Sequence, residues 1–92
     1  MPTVAEFYGI VIQMYFAGHN PPHFHARYGN SKALVRIADG EIIQGRSPPA
    51  AARLVREWAL ARRDDLAQNW RCGQAHSPMQ RIVGLDGEGA NE

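Results

Sequence analysis

Between Phe7 and Phe16 almost every position is apolar, and the run has no helical period. Tyr8, Ile10, Ile12, Met14 and Phe16 would share one face of an extended chain, with Phe7, Val11 and Tyr15 on the other. Two apolar faces and many β-branched and aromatic residues predict a central β-strand. Ala17 to Pro22 holds Gly18, Asn20 and two prolines, which cannot continue a ladder, so a loop follows. His23 to Tyr28 then alternates: Phe24, Ala26 and Tyr28 point one way, and His23, His25 and Arg27 the other. Ala33 to Ala38 alternates again, with Ala33, Val35 and Ile37 apolar. Matching apolar faces across a hairpin with Asn30-Ser31 at its tip sets Phe24 opposite Ile37 and His25 opposite Arg36. Asp39-Gly40 reads as a type I′ turn into a short strand, Glu41 to Gln44.

The period changes after Ser47-Pro48, which reads as an N-cap followed by proline at the first helical position. Leu54, Val55, Trp58, Ala59, Leu66 and Trp70 fall on one side of a helical wheel. The helix either runs unbroken to about Cys72 or bends near Arg62-Arg63, and Gly73 offers a stop. Ser77 to Leu85 reads as an irregular return, with short pairing open at Gln80 to Val83. The sum is an α+β domain over residues 1–85. A small antiparallel β-meander of three to four strands packs against one long or two consecutive C-terminal helices, and 86–92 forms a Gly-rich, acidic, disordered tail.

Ninety-two residues leave room for one core. A 45% hydrophobic, 21% charged composition is that of a folded domain. The formal net charge of +1 does not make nucleic acid the default partner. With Cys72 the single cysteine, no internal disulfide can form, which suits a reducing compartment. No apolar run approaches the roughly 18 residues of a membrane helix. A cytoplasmic protein that does not engage membranes is expected.

Candidate chemistry concentrates in His19-Asn20-Pro21-Pro22-His23-Phe24-His25. On a strand, His23 and His25 project to one side about 7 Å apart. They could act as acid and base, since imidazole titrates near neutrality. They could also hold zinc with a third ligand from elsewhere, although the sequence offers no Cys pair and no H-E-x-x-H motif. The bland alternative is a pair of hydrogen-bonded surface rings. If 19–23 ran extended, as two prolines favour, His19 would lie about 13 Å from His23. Arg27, Lys32 and Arg36 would join the histidines in a cationic hairpin face, with His19, Asn20 and Tyr28 at its margins. That face suits a phosphate, a nucleic-acid backbone or an acidic protein surface. It equally suits a solvated edge that resists aggregation.

The strings Phe7-Tyr8-Gly9-Ile10-Val11-Ile12, His19-Asn20-Pro21-Pro22-His23-Phe24-His25-Ala26, Gly40-Glu41-Ile42-Ile43-Gln44-Gly45 and Leu54-Val55-Arg56-Glu57-Trp58-Ala59, with Asn69-Trp70, resemble the bacterial DUF4160 family. The resemblance extends over about residues 2 to 85. It departs at Ser77-Pro78-Met79-Gln80-Arg81-Ile82, where family members carry a lysine. No established activity comes with it. Family genes have the size and setting of toxin–antitoxin-like cassettes, which implies a small paired or regulatory protein.

Two functional expectations follow. The first is a binding module that docks a small partner protein encoded nearby, or a nucleic-acid backbone, through His19, Asn20, Arg27, Tyr28, Lys32 and Arg36. The second is a metal-independent ribonuclease or hydrolase in which His23 and His25 are the catalytic pair. Neither requires a cofactor; zinc on His23 and His25 is the alternative. Apolar positions on the Trp-bearing helix leave a homodimer open.

Overall fold

In the computed structural model, which describes residues 2–87, the apolar run from Phe7 to Phe16 is two strands, not one. Tyr8 (φ 51°) and Gly9 (φ 80°) both take the left-handed region. They form a two-residue turn with Phe7 paired to Ile10, the arrangement a type I′ hairpin requires. Glycine adopts that conformation freely, whereas tyrosine at the first turn position gives no warning in the sequence. The turn separates β1 (Thr3–Phe7) from β2 (Ile10–Gln13).

Three further strands follow: β3 (His23–Tyr28), β4 (Ser31–Arg36) and β5 (Ile42–Gly45). All neighbours are antiparallel and the sheet order is β1-β2-β3-β4-β5. The expected meander is present with five strands. The Asp39-Gly40 turn is different from expectation. Gly40 has positive φ (72°) but Asp39 does not. Arg36 and Glu41 flank a four-residue loop, with the Arg36 N–H donating to the Glu41 carbonyl at 2.9 Å. The Asp39 carboxylate explains the longer loop: it accepts from the Arg36 guanidinium and from the Glu41 N–H.

The helical region bends at Arg62 (φ −116°), giving α1 (Pro49–Ala61) and α2 (Arg63–Gln74). Ser47 is not the cap; its hydroxyl donates to the Pro48 carbonyl at 3.3 Å. Pro48 precedes another proline, which disfavours the α region for it, and at ψ 145° it stands outside the helix while Pro49 opens the first turn. Nor does Gly73 stop α2, which continues to Gln74. Gly73 is where the β2–β3 loop crosses the helix. The Ala17 N–H donates to its carbonyl at 3.1 Å, and a Cβ would stand only 2.6 Å from the Met79 methyl.

Both helices cover one face of the sheet. Ile10, Ile12, Phe24, Ala26, Ala33 and Val35 from the strands meet Val55, Trp58, Ala59 and Leu66 from the helices. Trp58 is fully buried, 5.2 Å from Phe7 and edge-on to Phe24 at 5.6 Å between ring centroids. Its indole N–H donates to the Val83 carbonyl at 2.8 Å. The pairing expected at Gln80 to Val83 is not a strand. The Asn69 side chain bonds both the carbonyl and the N–H of Gln80, at 2.8 and 2.9 Å. The Ile82 N–H donates to the Val4 carbonyl at 2.7 Å. Of the tail expected at 86–92, residues 88–92 lie outside the described residues. No helix among the described residues is long and apolar enough to cross a membrane.

Candidate functional site

The face of the sheet turned away from the helices carries the polar side of every strand. In the observed register Gln13 stands opposite His25, and His25 opposite Leu34; His23 is paired with Arg36 and Arg27 with Lys32. This shifts the expected register by two residues. The hairpin tip is Gly29-Asn30, because Gly29 takes φ 58° and lets the chain reverse one step earlier. A shift of two keeps every side chain on its face. His23 and His25 therefore do share one side, but His25 faces Leu34, not Arg36.

The two imidazoles lie 5.5 Å apart between ring centroids. His25 meets Tyr15 edge-on at 4.3 Å, and His23 meets Trp70 of α2 at 5.3 Å. The His23 ring also has its Nδ1 2.9 Å from the Pro21 carbonyl oxygen. Burial against these neighbours lowers the pKa of His25 below its ordinary 6.5, and the charges of His23 and then Lys32 push it the same way.

The loop between β2 and β3 does not run straight. Ala17 (φ 55°) turns it, and the Gln74 side chain ties it to α2 by donating to the Gly18 carbonyl at 2.9 Å. His19 thereby lines the same cleft as His23 and His25, contrary to the extended path expected from the prolines. The cleft has a volume of about 610 Å³, and Tyr15, Phe16, Leu34 and Ile43 supply its apolar surface. Among the described residues, no acidic side chain lines it. Among the described residues, no group of three or more His, Cys, Asp or Glu side chains is placed to hold a metal ion.

The other expected site residues divide. Asn20 lines the cleft. Arg27 and Lys32 are exposed on the same face, two positions along the ladder from His25 and Leu34. Tyr28 shares the side of Phe24 and Ala26 and stands over the β1–β2 turn, within 3.4 Å of where a Gly9 Cβ would be. Arg36 is not available to the histidines in the way expected. Asp39 grips its guanidinium at 2.7 to 3.1 Å, and those bonds, followed by the Glu41 N–H, hold the Asp39 carboxyl below its ordinary range. Sequence reasoning missed Phe16, Leu34, Ile43 and Trp70 as site residues. Trp70 read as core because of its place on the helical wheel; only tertiary packing brings it to His23.

A meander covered on one face by two helices, with a histidine cleft at one end of the other face, defines a small α+β domain. The chain belongs to the DUF4160 family, a domain of unknown function, whose model matches residues 9–71. No curated protein and no solved structure shows significant similarity to it.

Proposed function

We propose that the protein is a small binding module of a toxin–antitoxin-like pair that docks a partner protein across the helix-free face of its sheet. The observation that carries this reading is the cleft. Tyr15 and Phe16 stand 38% and 41% exposed beside three histidines, with no carboxylate among the described residues of the lining. Exposed aromatic rings are the usual anchors of protein interfaces, since they bury much area at little entropic cost. Arg27 and Lys32 extend the face with positive charge that would steer an acidic partner. The test is calorimetric titration with the small protein encoded beside this one. Tyr15→Ala and His25→Ala should each weaken binding about tenfold or more, and Arg53→Ala, on the outer side of α1, should not. Unchanged affinity in both cleft variants would overturn the reading.

A second reading, a metal-independent ribonuclease or hydrolase, is favoured by one observation. His25, whose pKa is lowered chiefly by burial, would serve as the base, with the His23 ring 5.5 Å away between centroids as the other member of the pair. Arg36 is committed to Asp39, so Arg27 is left to steady a phosphate charge. RNA cleavage with a bell-shaped pH–rate profile, lost in His25→Ala, would establish this reading; absence of any cleavage would discard it.

A further inference from the structure

The cleft gathers groups that become cations on acidification, and no carboxylate among the described residues stands with them. His23 and His25 lie 5.5 Å apart between ring centroids, and His19 lines the same space. The other neighbours of His25 are neutral: Gln13 opposite it on β2, Leu34 opposite it on β4 and Tyr15 against its ring. His23 meets Trp70 of α2 and is paired with Arg36 of β4. Arg27 and Lys32, two positions along the ladder from His25 and Leu34, bring positive charge only. The carboxylates Glu6, Asp39 and Glu41 are tied to guanidinium groups elsewhere, those of Arg81, Arg36 and Arg56, at 3.4, 2.7 and 3.1 Å. His23 is also prepared for charge. The Pro21 carbonyl oxygen 2.9 Å from its Nδ1 can only accept, so Nδ1 carries a hydrogen. Protonation adds a second N–H, at Nε2, and leaves that bond intact.

We infer that the cleft is a proton-gated oxyanion site: it takes a carboxylate or phosphoryl group carried on a small apolar body once His23 and His25 gain protons, and releases it when they are neutral. The site is that of the docking reading, but the inference needs neither the partner protein nor any cleavage. An imidazolium offers two N–H donors and a full charge, and charge-assisted hydrogen bonds are about twice as strong as neutral ones. Tyr15, Phe16, Leu34 and Ile43 supply apolar walls for the body of the ligand. With no carboxylate beside the rings, the counter-charge has to come from outside. The titration of His25 agrees with this. Burial is the first cause of its lowered pKa, and the charges of His23 and Lys32 follow. An oxyanion beside the rings opposes those two charges and draws the His25 pKa upward. By linkage, affinity for the oxyanion rises as pH falls through the histidine range.

The test is NMR titration of the full chain with phenylacetate at pH about 5.5 and about 7.5, between which a carboxylate keeps its charge. Trp58, buried and bonded to Val83, is an internal control for the fold. The expected result at the lower pH is saturable movement of the His23, His25 and Tyr15 ring signals, with the Trp58 indole fixed. Affinity should be about tenfold or more weaker at the higher pH, and phenylacetamide, which has the same shape without the charge, should bind about tenfold more weakly at the lower one. His23→Gln with His25→Gln should abolish the pH dependence while preserving the Trp58 signal. Phenyl phosphate, titrated at the lower pH, separates the two oxyanions: tighter binding than phenylacetate assigns the site to phosphoryl groups, weaker binding to carboxylates. No saturable shift at the lower pH would overturn the inference. So would equal binding of phenylacetamide, or an affinity that does not change with pH. The two proposals fail separately. A null phenylacetate titration with Tyr15→Ala still weakening the neighbouring-gene protein removes the oxyanion site alone. Proton-gated phenylacetate binding without any capture of that protein removes the docking reading alone.

Discussion

The two faces of the sheet are built from the same strands and hold opposite kinds of residue. Under the helices, Phe24, Ile12 and Trp58 are fully buried, and Phe24 and Trp58 meet ring to ring. On the open side, one residue along β3 in each direction, His23 and His25 contact Trp70 and Tyr15 at a cleft that solvent reaches. The difference separates the residues that hold the fold together from those on which the docking proposal rests. Substitutions on the covered face should be read in folding free energy. Those on the open face should be read in binding, with the fold nearly untouched.

The comparison breaks most visibly at Trp58. Trp58→Ala should cost about 3–5 kcal/mol in chemical denaturation, enough to unfold much of a domain this size, whereas Tyr15→Ala should stay within about 0.5 kcal/mol. Equal losses would mean that the open face is a second core. Next comes Asn69, which is 1% exposed and holds both polar groups of the Gln80 backbone. Asn69→Ala should cost about 1–3 kcal/mol in the same measurement, because it strands buried hydrogen-bonding groups.

The histidine cleft sharpens the comparison through pH. The folded pKa of His25 is lowered, so the unfolded chain takes up its proton first as pH falls. Stability attributable to this residue is therefore intact above about 6.5 and declines as pH drops from there toward the folded value. His25→Gln should flatten that limb of the stability curve. A variant with an unchanged slope would assign the acid sensitivity elsewhere. The smallest effect belongs to Asp39, whose folded pKa is also lowered. Its stabilising contribution is present above its ordinary 3.8 and vanishes as pH falls through the folded value. Asp39→Asn should be slightly less stable than the parent at neutral pH and converge with it in strong acid.

How much of this was legible in the sequence depended on range. Alternation along β3 assigned Phe24 and Ala26 to the core and the histidines to the other side, because strand periodicity survives any two-residue slip. Local turn chemistry was less transparent. Tyr8 accepts a positive φ that nothing in its side chain advertises, so a hairpin passed for one strand. Asp39-Gly40 had the residues of a tight turn, yet the Arg36 contact drew it into a longer loop. Ser47 looked like a cap, and the proline pair displaced the helix start. The cleft itself was only half visible. His19, His23 and His25 were named by proximity in sequence. Trp70 and Leu34 reach them through a helix docked some forty-five residues further on and through a register fixed by Gly29.

The anchoring of the return segment sets the smallest piece of chain that can be handled alone. The portion shared with the family ends at Arg71 and begins at Gly9. A fragment cut to those limits would forfeit β1, half of the first hairpin, and would leave the Trp58 indole and the Asn69 amide facing empty space where Val83 and Gln80 belong. Domain-swapped or truncated versions should therefore keep residues 3 through 83 together.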